Sequence, residues 1–257
     1  MKATTGVVAL HFTHFTFRKK LIEIPFFIYN DSMDQLTDLL RTHPVFASLD
    51  EAVRSRLAQQ ASRRALKKGE NLVMQGDVWP YLFLVVEGEV DAVKGSAEGR
   101  NLLVTTFRKG ELFWGLAFFQ EEAPLLATLA AHVPSLVYLW SRQVIEPVFI
   151  EHGRMSWELC RLMIQRMQRA SAIVEELAFQ PVSGRLARML LDDFESAGDI
   201  SISRHLTLDD MAARIGTTRE MVCRALYRFA GRKLIDVTRT EFTLTDKDGL
   251  RRMAEGS

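Results

Sequence analysis

The longest stretch of the chain without glycine or proline contains residues 155–179, and it constrains the fold more than any other feature. As a helix, about 25 residues form a rod about 37 Å long, which is more than one small domain usually covers. Its apolar residues follow the 3-4-3-4 spacing of a two-chain coiled coil, and we call them the seam: Cys160, Met163, Met167, Ala170, Val174 and Leu177. A long core helix is the alternative, because Leu159 and Ile173 widen the apolar stripe. The sequence favours a dimerisation helix at residues 154–180.

Before this helix, glycines interrupt a series of short apolar runs between Lys68 and Trp140. The runs have the length of strands and are rich in valine, leucine and aromatic residues: YLFLVV, EVDAVK, LLVTTF, ATLAAHV and SLVYLW. Many short strands separated by glycine turns are typical of a sandwich or barrel. Helical spacing precedes them in DQLTDLLRTH and in SLDEAVRSRLAQQA, where Ser48 and Glu51 match a capping box. We therefore predict a β-domain with flanking helices at residues 33–153.

Residues 1–32 have no clear hydrophobic period, and Met33 directly precedes the first amphipathic helix. Chain ends of this kind are commonly poorly ordered. We predict that residues 1–32 form a loose arm or lie upstream of a natural start at Met33.

The composition excludes several classes of protein. The chain is 47% hydrophobic and 25% charged with a net charge of +1, which is ordinary for a globular protein, so any signal for nucleic acid must be local. Cys160 and Cys223 are too few for a disulfide framework or a four-cysteine metal site, and they fit a reducing cytoplasm. No apolar run is long enough to span a membrane. The sequence has no P-loop, dinucleotide fingerprint, metal-spaced His/Cys cluster or nucleophile elbow, so we expect neither an enzyme nor a bound metal or cofactor.

A helix-turn-helix is indicated in the last part of the chain, residues 181–257, which Pro181 separates from the long helix. Thr207 and Asp210 predict a capped first helix, LDDMAARI. Gly216 follows that helix, and glycine adopts the left-handed conformation that a tight turn requires. Ala212, Gly216 and Val222 have the helix-turn-helix spacing, with a small residue at the helix crossing and a β-branched residue packed beneath it. Two short alternating runs, residues 235–237 and 242–244, predict a hairpin with its turn at residues 238–240.

The second helix of this motif has two distinct faces. Val222, Ala225, Leu226 and Phe229 share an arc of about 100° and are predicted to be buried, while the charged residues lie on a separate arc of about 140°. The sequence offers no evident partners for Arg219, Glu220 and Arg224, so we expect them to stay unpaired until they meet bases and phosphates. A merely solvated face is the alternative. The predicted DNA-contacting residues are Thr218, Arg219, Glu220, Cys223, Arg224, Arg228 and, in the hairpin turn, Arg239. Cys223 is either a small residue that fits the groove or a redox-sensitive thiol.

These features together resemble the Crp–Fnr group of bacterial transcription regulators over about Met33 to Leu250. The recognition helix of that family has the pattern Arg-Glu-x-x-x-Arg, which Arg219, Glu220 and Arg224 match, and LKKGENLVMQGD, FLVVEGEVDAV and RKGELFWGLAFF occur in the expected order. The resemblance implies an α+β fold with an N-terminal antiparallel β-roll (jelly-roll-like), a long dimerisation helix and a C-terminal winged helix-turn-helix. It also implies a homodimer on palindromic double-stranded DNA, with RNA polymerase as a further partner.

The sequence departs from the family at the effector site. Cyclic-nucleotide-binding members carry a glutamate for the ribose and, about ten residues later, an arginine for the phosphate; here Gly115 and Leu125 occupy those positions, and Leu126 follows. An anion buried without a cation or donors costs several kcal/mol, so we expect that cyclic nucleotides are not effectors. The alternative function is a sensor of the same architecture for haem or for an apolar or neutral ligand, with His132 as the lone candidate ligand in the β-domain. The aromatic residues of this region are core or the wall of a ligand site: Phe113, Trp114, Phe118 and Phe119.

Overall fold

The computed structural model describes residues 33–255, so the prediction for residues 1–32 lies outside the described residues. The β-domain comprises α1 (Met33–Thr42), α2 (Glu51–Gln60), β1 (Ser62–Leu66), β2 (Asn71–Val73), β3 (Tyr81–Glu87), β4 (Glu89–Gly95), β5 (Asn101–Arg108), β6 (Leu112–Trp114), β7 (Thr128–Ala131), β8 (Ser135–Ser141) and α3 (Arg142–Glu151). It is followed by α4 (Gly153–Phe179), α5 (Val182–Ala197), β9 (Ser201–Ser203), α6 (Leu208–Arg214), α7 (Arg219–Gly231), β10 (Ile235–Val237), β11 (Glu241–Leu244) and α8 (Lys247–Glu255).

The β-domain is an antiparallel roll of two facing sheets, which confirms the predicted fold class. One sheet has the strand order β1-β8-β3-β6, and the other has the order β2-β7-β4-β5. The longest pairing of the first sheet aligns Leu82 with Trp140 and Leu84 with Tyr138. All of these strand pairs are antiparallel.

Strands β3 and β8 are continuously apolar because both of their faces are covered. Phe83 and Val137 lie between the two sheets, while Leu84 and Trp140 pack outward against the helices. In the second sheet β4 alternates between buried and more exposed residues, as expected for a sheet with one solvated face. The indole Nε1 of Trp140 donates to the carbonyl of Leu57 in α2 (2.8 Å), which satisfies the polar atom of a fully buried ring.

The predicted capping box at the start of α2 is wrong. Asp50 is the N-terminal flanking residue and makes no side-chain capping bond, while the Glu51 carboxylate pairs with Arg54 (2.9 Å) one turn along the helix. The chain between α1 and α2 is instead held by Arg54, which donates to the carbonyls of Ala47 and Leu49. An arginine that bonds backbone carbonyls has no local signature comparable to a capping box.

Helix α4 is a single 27-residue rod. Only its first turns are buried, through Met155 and Leu159, and Pro181 flanks the start of α5 as predicted. The C-terminal domain packs α5, α6, α7 and α8 with a three-stranded sheet of order β10-β11-β9. In the hairpin Val237 pairs with Phe242, and the turn lies at residues 238–240 as predicted. Within residues 33–255, no helix combines the length and apolar character needed to cross a bilayer.

Candidate nucleic-acid interface

The turn between α6 and α7 is built by local capping. The Thr207 hydroxyl accepts from the Asp210 amide (3.1 Å), and the Asp210 carboxylate accepts from the Thr207 amide (2.9 Å), so the predicted capping box is present. Gly216 has a φ of +63°, and the Thr217 amide bonds the Ala212 carbonyl (2.9 Å) across the turn. This i to i−5 bond with a left-handed glycine is the Schellman end of a helix, and it fixes the direction in which α7 leaves α6.

Residues outside the motif hold this turn in place, and the sequence analysis missed them. The buried Arg185 of α5 donates from Nε to the Ile215 carbonyl (2.8 Å) and from Nη1 to the Gln180 carbonyl (2.6 Å). Leu177 of the seam lies against the turn as well, because a Cβ added at Gly216 would be 2.5 Å from its Cδ2 atom. The contacts of Arg185 with Ile215 and of Leu177 with Gly216 join distant parts of the chain, and no spacing rule could have found them.

Helix α7 has the two faces that its sequence predicts. The four apolar residues expected to be buried are all at most 6% exposed: Val222, Ala225, Leu226 and Phe229. The opposite face carries Arg219, Glu220 and Arg224, whose side chains are each more than 60% exposed. Because the buried face anchors the helix in the domain, the charged face is presented on a rigid element.

The expectation that these charges are unpaired is wrong. Arg219 pairs with Asp209 at the start of α6 (2.9 Å), and Arg224 pairs with Glu220 one turn back in α7. The first pair joins two helices, which the sequence could not reveal; the second has the i,i+4 spacing and was visible. Ion pairs this exposed contribute about 0–1 kcal/mol, so both arginines can exchange these partners for others at little cost.

The other predicted contact residues occupy different environments. Thr218 flanks α7, and its hydroxyl accepts from the Met221 amide (3.4 Å), so it caps the helix. Cys223 is half-buried, and Arg228 and Arg239 are exposed. Arg204, which the sequence analysis did not consider, donates to the Thr238 carbonyl (2.7 Å) and thereby ties the hairpin turn to the chain that precedes α6.

The seam of α4 is an exposed apolar face on the isolated chain. Met163, Met167 and Val174 are among the exposed large apolar residues, and Met167 is 67% exposed. The sequence analysis missed Trp157, which is exposed on the same helix and lies seven residues before Ile164, also exposed. Residues seven apart share a helix face, so Trp157 and Ile164 extend the apolar surface beside the seam.

The loop expected to be a degenerate effector site is partly packed against the rest of the β-domain. A Cβ at Gly115 would lie 2.5 Å from the Trp79 carbonyl oxygen, so this backbone leaves no room for the family's glutamate. Leu125 is 4% exposed and packs in the core, whereas Leu126 is 56% exposed. The four aromatic residues predicted to be core or the wall of a ligand site differ in burial. Phe118 is buried in the core, Phe113 and Trp114 are half-buried against it, and Phe119 is exposed.

His132 does not face the core of the roll. Its Nδ1 atom lies 3.0 Å from a carboxylate oxygen of Asp91. It lines a polar cavity of about 460 Å³ together with Arg108, Arg169 and Arg214. His132 therefore forms a hydrogen bond with Asp91 at the wall of a polar cavity.

The fold agrees with what the chain is similar to. A cyclic nucleotide-binding domain family matches residues 63–152, and a Crp-like helix-turn-helix domain family matches residues 184–253. The CRP-like cAMP-activated global transcriptional regulator of Mycobacterium tuberculosis is 22% identical to this chain, over 85% of this chain and 100% of its own length. The cAMP-activated global regulator Vfr of Pseudomonas aeruginosa is 24% identical over 71% of this chain and 88% of its own. The structure of the c-di-GMP-responsive regulator CLP of Xanthomonas campestris shares the fold, with a TM-score of 0.66, 20% identity, and coverage of 76% of this chain and 99% of that one.

Proposed function

Since the chain belongs to the Crp–Fnr family of transcription regulators, with a helix-turn-helix domain and a cyclic-nucleotide-binding-like domain, we propose that it binds palindromic DNA sites as a homodimer. In this proposal α7 enters the major groove, and the start of the helix contacts base edges. Arg224 forms two hydrogen bonds to a guanine, and Glu220 accepts from a cytosine amino group. Thr218, Arg219, Arg228 and Arg239 contact the backbone, and Cys223 fits the groove as a small residue.

The observation that carries the proposal is the exposed charged face of α7. The helix begins at Arg219 beside a capped turn, and its opposite face is buried in the domain, so its position is fixed. Its arginines are held only by exposed ion pairs. Such pairs are weak in water, whereas a fork of hydrogen bonds to guanine contributes about 1–3 kcal/mol of discrimination, so DNA outcompetes the intramolecular partners.

A homodimer through α4 is supported by the exposed seam. A coiled coil buries such residues against the same residues of a second chain, and its two-fold axis places the two α7 helices on two half-sites. Half-site centres are then about one helical turn, about 34–36 Å, apart. A regulator bound in this way has RNA polymerase as its further partner.

We propose further that cyclic nucleotides do not control this protein, although two relatives are named as cAMP-activated. The support is local. Gly115 has no side chain to bond a ribose, and Leu125 and Leu126 offer methyl groups where a phosphate requires donors. The loop QEEAPLL contains no basic residue of its own, and the arginine beside it, Arg142, is paired with Glu121 (3.4 Å).

Selection of bound duplexes from a random pool tests the proposal. We expect a palindrome with G·C next to A·T in each half-site. Arg224→Ala should weaken binding to it by about 1–3 kcal/mol and relax selection at one base pair per half-site. Arg251→Ala is the matched control, since Arg251 is also exposed and ion-paired but lies on α8, and it should change neither. Non-palindromic winners, or unchanged selectivity in the Arg224 variant, would contradict the proposal.

A further inference from the structure

A cation from α4 lies against the aromatic side chains of the β-roll. Arg166 donates from Nη2 to the Leu112 carbonyl. Its guanidinium carbon lies 4.5 Å from the ring centre of Trp114, 5.3 Å from that of Phe107 and 5.8 Å from that of Phe113. We call these three rings the aromatic cage. Three rings and one carbonyl therefore surround the guanidinium on the side of the β-roll, an arrangement that suits a planar cation.

The charge of Arg166 is compensated without an ion pair. Among residues 33–255 no carboxylate forms an ion pair with Arg166. The charge of Glu111 acts on it through space, but the Glu111 carboxylate pairs with the Arg169 guanidinium (3.9 Å). Burial lowers the pKa of the Arg166 guanidinium to about 10, so it remains a cation at neutral pH. Glu111 stabilises this half-buried cation only through space, so the rings and the Leu112 carbonyl are the groups that contact it directly.

The cage is continuous with the core between the two sheets. The Phe113 ring lies 4.8 Å from the Phe107 ring, 5.6 Å from Phe83 and 6.4 Å from Trp79, measured between ring centres. Trp79 is also the residue whose carbonyl closes the position of Gly115. The protein's own rings therefore pack the roll beside the degenerate loop, and Arg166 closes one end of that column.

We infer that Arg166 is a built-in ligand of the β-roll. Its guanidinium occupies the aromatic cage as a tethered planar cation and holds α4 in the position that DNA binding requires, without a diffusible effector. The next residue, Met167, belongs to the exposed seam, so adjacent residues of α4 contact the β-roll core and the proposed partner chain. The link to DNA binding rests on the proposed function, whereas recognition of a guanidinium by the cage does not.

Three substitutions test the tethered cation through operator affinity. Arg166→Ala removes it, Arg166→Met replaces it with a long neutral side chain, and Arg166→Lys keeps the charge but loses the planar group that stacks on rings. We expect operator binding to weaken by about tenfold or more in the alanine and methionine variants, equivalent to about 1.4 kcal/mol. The lysine variant should lie between them and the native protein. The methionine variant keeps the test usable if the alanine variant does not fold, and native affinity in the methionine variant would overturn the inference.

Chemical rescue separates recognition of the cation from the loss of packing. Methylguanidinium chloride at millimolar concentration should change the tryptophan fluorescence of Arg166→Ala saturably and restore part of its operator binding. Methylammonium chloride at the same concentration should do neither, and adding Trp114→Leu to the variant should abolish both effects. A folded, dimeric Arg166→Ala protein with no saturable response would overturn the inference. If the native protein selected no palindrome, the proposed function would fail, while the fluorescence titration would still decide whether the cage binds a guanidinium.

Discussion

The arginines of α7 and the arginine of α4 lie in opposite environments. Arg219 and Arg224 are exposed and paired with carboxylates, while Arg166 is half-buried and held by aromatic rings and a carbonyl. An exposed pair contributes about 0–1 kcal/mol, whereas removing one partner of a buried charge costs more because its compensation is lost. The α7 arginines are therefore available to a new partner such as DNA, and Arg166 is fixed in the fold.

The largest effect on operator binding is expected from the seam of α4, the helix that carries Arg166 and leads to the domain of α7. Met167→Glu should place two like charges in a dry interface, at a cost of several kcal/mol if both stay ionised. Analytical ultracentrifugation should then show a monomer at micromolar concentration, and operator binding should weaken by at least about 100-fold. Gln168→Glu adds the same charge next to the seam on an exposed position and should remain dimeric. A Met167→Glu protein that stays dimeric would place the interface elsewhere.

The second prediction concerns the cyclic-nucleotide-binding-like β-roll. Cyclic AMP and cyclic GMP should bind about two to four decades more weakly to this protein than to a site that makes both the ribose contact and the phosphate contact. Each of these two contacts, when lost, reduces the binding free energy by about 1.5–3 kcal/mol. Isothermal titration with both nucleotides, alongside operator binding with and without them, measures this. A dissociation constant of a few micromolar, or a gain in operator affinity with nucleotide, would mean that another element supplies a cation to the phosphate and would contradict the proposal.

The third prediction uses acid to separate the β-domain from the C-terminal domain. His43 is buried, its Nδ1 accepts from the Val45 amide (3.1 Å), and burial lowers its pKa to about 4 against an opposing hydrogen bond to Gly110. The unfolded chain binds this proton near pH 6.5 and the folded chain only near pH 4. The free energy of unfolding should therefore be highest above pH 6.5 and fall by up to about 3 kcal/mol as the pH drops to 4.

Urea unfolding at several pH values measures this slope. His43→Asn keeps an acceptor for the Val45 amide and should flatten it between pH 6.5 and 4. His205→Asn, an exposed histidine in the C-terminal domain, controls for the loss of a histidine. An unchanged slope in His43→Asn would assign the acid sensitivity to other groups.

The two regions also differ in how far the sequence predicted them. The fold of the helix-turn-helix followed from local rules, since the Thr207–Asp210 cap, the left-handed Gly216 and the periodicity of α7 all involve neighbours in the chain. The pairing of Arg219 with Asp209 did not, because it depends on the crossing of two helices. The sequence also indicated, through the resemblance, that Gly115 and Leu125 depart from the family pattern, but it did not indicate that Arg166 lies at the edge of the roll.

The contact of Arg166 with the aromatic cage could not be predicted from the sequence, for a physical reason. Arg166 comes from a helix more than 50 residues away from Leu112 in the chain, and the spacing of α4 only places it beside a seam residue. The charged ends of arginines on a long amphipathic helix usually lie in water, so nothing in the spacing of α4 indicates that one of them stacks on three rings. Contacts between distant elements depend on how those elements pack together, and spacing rules describe only residues that are close in the sequence.

The smallest predicted effect tests the claim that the α7 arginines are exchangeable. Asp209→Asn removes the partner of Arg219, and because both side chains are about two-thirds exposed, the free energy of unfolding should change by less than about 1 kcal/mol. Operator affinity should rise by at most about threefold, since Arg219 no longer has to leave a carboxylate to reach DNA. Asp248→Asn is the matched control: it also removes an acid from the first turn of a helix and one ion-pair partner from an arginine, but on α8, where Arg251 keeps a second partner in Glu195 (3.8 Å). It should change the free energy of unfolding by less than about 1 kcal/mol and leave operator affinity unchanged. If Asp209→Asn weakened operator binding instead, the ion pair would position Arg219 for DNA rather than compete with it, and the α7 arginines would be as fixed as Arg166.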